Sequence, residues 1–156
     1  MADPRDPAGD GPGLRLPAYL EPVPAGTPDL PIEVTFAALE PASGRFRSNV
    51  VVTEQPTGGL GFRDWQAGTD ELLPRTLPDY LLVDLERLEL DGHPAGRRLA
   101  HHAGPAGEAL TMEQWFVLVD GVGHTLTATV ETWRYDELAD SLAGVAASWR
   151  PAGEGA

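Results

Sequence analysis

Residues 111–133 constrain the fold of this chain more than any other stretch. Two runs in which large apolar side chains recur at every second position, 111–119 and 124–133, flank Asp120-Gly121-Val122-Gly123. A period of two is that of a strand, and a short break containing Asp-Gly closes two such strands into a hairpin. With Gly121 and Val122 as a two-residue turn, Val119 lies opposite His124 and Trp115 opposite Ala128. One face then carries Trp115, Val117, Val119, Leu126, Ala128 and Val130. That set is wholly apolar and must be buried. The other face carries Met112, Gln114, Phe116 and Leu118 beside Thr125, Thr127 and Thr129. Large apolar groups beside a threonine ladder do not make an ordinary solvated surface. Either another part of the chain covers these seven residues, or they form a groove for a partner segment.

The flanking sequence supplies layers for both faces. After the hairpin, Asp136 is a good N-cap and Glu137 suits a first helical turn. Leu138, Leu142, Val145 and Trp149 follow at spacings of four, three and four, one apolar stripe on a closing helix. Before the hairpin, residues 32–37 alternate as a strand, 41–44 read as a turn, and 45–54 as a second strand centred on Val50, Val51 and Val52. Residues 56–61 are a loop. Residues 62–76 read as a helix with Phe62, Trp65, Leu72 and Leu73 apolar, although Gly68 and Pro74 weaken it. The 78–90 stretch fits both periods. A strand with a bulge is preferred, because Asp91-Gly92 marks a tight turn and 97–102 follows as a return strand. Strands, helix, antiparallel strands and helix make an α+β fold, an antiparallel β-sheet with helices packed on it in an αβα sandwich.

Residues 1–31 hold eight of the fifteen prolines and four of the eighteen glycines. Such a segment buries too little apolar surface to offset its ordering entropy, so it reads as a flexible N-terminal tail. Leu14, Leu16, Tyr19 and Leu20 form a small apolar cluster within it, able to dock on the domain or on a partner. Residues 32–150 are then one α+β domain, and 151–156 a disordered C-terminus. The N-terminal sequence has no basic head followed by an apolar run, and no stretch reaches about 18 apolar residues. The expectation is a cytoplasmic protein without membrane insertion, a monomer or weak homodimer.

Chemistry is sparse. The net charge is −13, all eleven basic residues are Arg, and Cys is absent. An acidic surface opposes binding to nucleic acid or anionic lipid and favours solubility or a basic partner. His93, His101, His102 and His124 lack ligand-like spacing: two are adjacent in a strand and two lie at turns, where exposure to solvent is expected. Ser141 and Ser148 fall on the closing helix, and no Ser sits in a nucleophile elbow. The loop Thr57-Gly58-Gly59-Leu60-Gly61 lacks the Lys of a phosphate loop. Asp84 and Glu86 share a strand face, but near neighbours are expected by chance among 24 acids. The Trp residues read as core, Trp149 and Trp115 first. No catalytic, cofactor-binding or metal-binding residue is assigned, and an enzyme is not expected.

Residues 49–149 resemble the DcrB-like domains of the PsbP-like superfamily, actinobacterial type. The likeness is carried by SNVVV, LDGHPAGRR, LTMEQWFVLVDGVGHTLTATVE and the closing LADSLAGVAASW. It implies an αβα sandwich around an antiparallel sheet, and a domain that works by binding another protein rather than by catalysis. A non-catalytic adaptor or chaperone is therefore the first expectation. The alternatives are an acidic immunity-type inhibitor of a basic toxin, and a small-ligand binder or cryptic enzyme with a pocket beside the sheet.

Overall fold

The computed structural model describes residues 13–24 and 32–151. In chain order the elements are β1 (Glu21–Val23), β2 (Glu33–Leu39), β3 (Asn49–Pro56), α1 (Phe62–Thr76), β4 (Leu81–Leu90), β5 (His93–Ala103), β6 (Ala109–Val119), β7 (Val122–Glu131) and α2 (Tyr135–Ser148). The seven strands form one sheet in the order β1-β2-β3-β7-β6-β5-β4, every neighbour antiparallel. The helices take opposite faces, as the α+β sandwich expectation required. The ambiguous stretch is a strand, β4, but its irregularity lies between Leu82 and Asp84, near its start, and not in the middle between Leu85 and Leu88 as expected.

The β6–β7 turn differs from the expected one. Its two central residues are Asp120 and Gly121, both left-handed with φ of 49° and 78°. Val119 therefore pairs with Val122 and Trp115 with Leu126. A tight hairpin turn of this type needs positive φ at both central positions, which a β-branched Val122 resists and Asp-Gly accepts. The register moves by two residues, an even number, so every side chain keeps its expected face. Asp91-Gly92 closes the β4–β5 hairpin the same way, with φ of 51° and 80°.

The main core lies between the sheet and α2. It contains Val117, Val119, Leu126, Ala128 and Val130 of the hairpin, Val50 and Val52 of β3, and Leu138, Leu142, Val145 and Trp149, with Trp115 packed at its margin. α2 begins two residues earlier than expected, at Tyr135 with Arg134 as its N-cap. A 3-10 turn over Thr132–Arg134 precedes it, so Asp136 lies inside the first turn rather than capping it. That turn lifts Trp133 out of the strand into solvent.

The flexible-tail expectation fails for residues 14–23, where the apolar cluster docks on the domain, one of the two readings open to it. Leu14 and Leu20 are 1% and 4% exposed and belong to the main core, with Leu16 and Tyr19 packed against it. Arg15 N–H donates to Ser148 Oγ at 2.7 Å, Tyr19 and Ser141 share a hydroxyl hydrogen bond, and β1 pairs with β2. Four apolar side chains within seven residues outweigh the proline-rich composition once α2 offers a surface to cover. Pro151 is buried; the rest of the expected tail and C-terminus, 1–12, 25–31 and 152–156, lies outside the described residues.

Candidate partner-binding cleft

The face opposite α2 is organised by α1, which is seated mainly by its N-terminal half. Phe62 stacks on Phe116 with centroids 5.8 Å apart and planes 9° apart. Trp65 meets both rings edge-on at 6.0 Å. This aromatic cluster rests directly on sheet backbone, because Gly96 and Gly123 carry no side chain beneath Phe116 and Trp65: a Cβ at either position would strike those rings. Arg87 lies 4.3 Å from the Phe62 centroid and Arg98 4.7 Å from that of Phe116.

A second anchor lies one helical turn and more further along. Arg98 of β5 is 1% exposed, and its Nε and a terminal nitrogen both donate to Asp70 Oδ1 of α1. Its other terminal nitrogen donates to Gln114 Oε1 at 2.6 Å, and Gln114 Nε2 donates to Thr127 Oγ1 at 3.0 Å. A buried guanidinium is tolerated only when its charge and donors are matched, and this chain of bonds supplies both. Burial pushes the Tyr80 hydroxyl up, with Arg98 opposing.

Past Asp70, α1 stops docking. Leu72 is 50% exposed, and only Phe62 and Trp65 of the helix are buried. A cleft of about 320 Å³ remains between helix and sheet. Its floor is Thr53, Gln55, Arg98, Gln114, Phe116 and Thr125; its helix wall runs from Asp64 and Trp65 through Thr69 to Leu72 and Leu73; Ile32 and Leu60 complete the lining. The cleft thus has a mixed floor, in which Arg98 and Gln114 are hydrogen-bonded, and an apolar rim, since Leu60 is 48% exposed.

The seven candidate residues of the hairpin share this face but not one role. Gln114, Phe116 and Thr125 line the cleft. Phe116 is also the seat of α1 and is 3% exposed, so it is not an open groove residue. Met112 is buried, Leu118 packs against the aromatic cluster, and Thr127 serves Gln114. Thr129 lines a separate recess with Phe46, Leu77, Pro78 and Leu110. Residues missed from sequence are Trp65, Asp70, Leu72 and Arg98. A glycine two residues before Arg98 on the same strand face was the available signal for something lying close on the sheet.

Several polar groups elsewhere are held by neighbours. His124, expected at an exposed turn, is 6% exposed on β7, 3.5 Å from Glu54. Burial pulls its pKa down against the opposing pull of Glu54. Asp84 and Glu86 do approach one another, both bound to Arg97. Ser141 and Ser148 hold the N-terminal arm. The described residues contain no group of three or more His, Cys, Asp or Glu placed to hold a metal ion, and no helix among them long and apolar enough to cross a membrane.

No protein-family model matches this sequence, and no curated protein matches it. Solved structures do. PA94 from Pseudomonas aeruginosa, a protein of unknown function, superposes with a TM-score of 0.67 at 18% identity, covering 86% of this chain and 98% of that one. LpqN of Mycobacterium tuberculosis, involved in cell envelope biogenesis, gives 0.63 at 16% identity, over 85% of this chain and 78% of that one. Cyanobacterial PsbP (CyanoP) from Synechocystis sp. PCC 6803 gives 0.56 at 14% identity, over 97% and 90%. At these identities the likeness is one of fold, and the chain has the α+β sandwich of the PsbP-like proteins.

Proposed function

We propose that this chain is a non-catalytic protein-binding domain, an adaptor or chaperone-like holder acting in the cytoplasm, and that the cleft under α1 is where a partner segment docks. The observation that carries the reading is the contrast within the cleft. In its floor Arg98 and Gln114 are hydrogen-bonded to each other and to Asp70 and Thr127, while Leu60 and Leu72 at its rim are about half exposed. Exposed apolar side chains beside a concavity are what an inserted apolar side chain of a partner would cover. LpqN is involved in cell envelope biogenesis and PA94 is of unknown function, so neither names the partner.

The test is affinity capture from native lysate with the intact chain and its Leu72→Asp variant. A solvent-facing change of this kind leaves stability within about 0.5 kcal/mol. The expected result is a partner captured by the wild type and lost from an equally stable Leu72→Asp. Retention of that partner by both Leu72→Asp and Leu60→Asp overturns the assignment. A second reading, a small-ligand site, is favoured by the cleft's volume of about 320 Å³, at the lower end of the range typical of such sites, roughly 300–1,000 Å³. A small molecule retained in native mass spectrometry, displaced by Leu72→Asp, supports that reading instead.

A further inference from the structure

The two edges of the sheet are built differently. β1 is three residues long and contains Pro22, with Pro24 just after it. Short edges marked by proline resist pairing with other chains. β4 at the other edge has ten residues and no proline, and is bonded to β5 on one side only. Eight of its ten residues are exposed. Leu81, Leu82, Val83 and Leu88 are 61%, 41%, 49% and 36% exposed. Among the described residues nothing lies along this edge, so a row of backbone donors and acceptors stands open beside apolar side chains.

The charges along β4 select what can pair with it. Asp84 and Glu86 lie opposite Leu99 and Arg97, on the α2 side of the sheet. Arg97 reaches them at 3.2 and 3.1 Å, but its Nε is already held by Glu113 at 2.6 Å. One guanidinium thus serves three carboxylates, and Asp84 and Glu86 remain 57% and 48% exposed. A second copy of the chain fits poorly. Opposed residues of an antiparallel pair share a face, so a two-fold pairing along the strand's length centres on Leu85 or on Glu86. The first sets Asp84 against the copy's Glu86, the second sets Glu86 against itself, and like charges directly opposite destabilise.

We propose that the β4 edge accepts an added strand from a different protein: an extended basic segment with Lys or Arg at two positions two residues apart, facing Asp84 and Glu86, and apolar residues between and around them. Main-chain bonds to the open edge provide affinity, and the alternate side chains provide selection. This surface is separate from the cleft and does not depend on the reading given to it.

The probe is a labelled synthetic peptide of alternating Val and Arg long enough to span β4, titrated into the full chain at about 0.15 M ionic strength, where non-contacting charges are screened. Binding is expected. N-methylation of alternate backbone nitrogens, which leaves charge unchanged, should weaken it at least about tenfold by deleting edge hydrogen bonds. Alternating Val and Glu should not bind. Asp84→Asn with Glu86→Gln should weaken binding about three- to tenfold. Hydrogen exchange should slow at β4 amides and not along α1. Equal binding of the N-methylated peptide, protection confined to the cleft, or sedimentation showing self-association that is lost in a Val83→Pro variant each overturn the proposal.

Discussion

Replacing Leu14 by Ala tests whether the N-terminal arm is part of the folded domain. Leu14 is 1% exposed and shares the main core with Leu142, Val145 and Trp149. Truncating a fully buried Leu costs about 2–5 kcal/mol, the transfer free energy plus the cavity left behind. The position within that range follows from how the arm is held. Arg15 and Tyr19 make one hydrogen bond each to Ser148 and Ser141, and β1 contributes a three-residue ladder. A segment tied this lightly detaches before the sheet unfolds, and the cost of Leu14→Ala cannot exceed the free energy of that local opening. The expected loss is therefore about 2–3 kcal/mol, a melting shift of roughly 6–12 °C for a domain of this size. Thermal and guanidinium unfolding of Leu14→Ala and of a chain lacking residues 1–20 measure it, with hydrogen exchange along α2 as the local readout. Both variants should melt lower, and the α2 amides facing the arm should exchange faster. A midpoint unchanged in the deletion, or Leu14→Ala within about 0.5 kcal/mol of wild type, refutes the reasoning.

Two further outcomes follow from other contacts. Gly123→Ala places a methyl group against the Trp65 ring, and overpacking of this kind costs about 1–3 kcal/mol; lower melting with altered tryptophan emission is expected, and an unaltered melt and spectrum would show that α1 does not rest on the sheet there. Arg134 forms a two-bond pair with Glu40 and holds its carboxyl down to about 2, helped by Ser48. A carboxylate depressed from about 4.5 stabilises the fold above that pH and stops doing so as pH falls toward 2. Arg134→Met should therefore lose stability at neutral pH, on the order of 1–2 kcal/mol after allowing for solvent screening, and show a shallower decline on acidification than wild type; parallel acid titrations of the two proteins would contradict this.

What could be read from sequence, and what could not, divides along the range of the interactions. The faces of β6 and β7 were legible because parity along a strand survives an even register shift, so placing the turn at Gly121-Val122 instead of Asp120-Gly121 misplaced partners without inverting sides. The arm was legible in part: Leu14, Leu16, Tyr19 and Leu20 stood out as a cluster able to dock, but eight prolines in 31 residues pointed to a tail, and the docking depends on an α2 surface more than a hundred residues away. Arg98 was hidden for a similar reason. Charged residues are rarely buried unless paired, and its partner Asp70 lies 28 residues earlier on a helix whose placement was unknown.

Phe116 shows how this bears on the candidate site. Read from sequence it heads the unusual face of the hairpin, and Phe116→Asp is the natural probe of a groove. In the structure its ring lies within 6.0 Å of both Phe62 and Trp65, measured between centroids, and under the guanidinium of Arg98. An aspartate there would bury an unpaired carboxylate among aromatic rings and release α1, at a cost of several kcal/mol. Partner loss in that variant would report the loss of the cleft's wall, whichever residues the partner touches. Leu72 lies beyond the Asp70–Arg98 anchor, half exposed, where a charge meets solvent and the helix stays seated. The informative residue is thus the one the aromatic seat leaves undocked, and the apolar rim on which the proposed docking rests exists because α1 is held at its start and middle but not along its last turn.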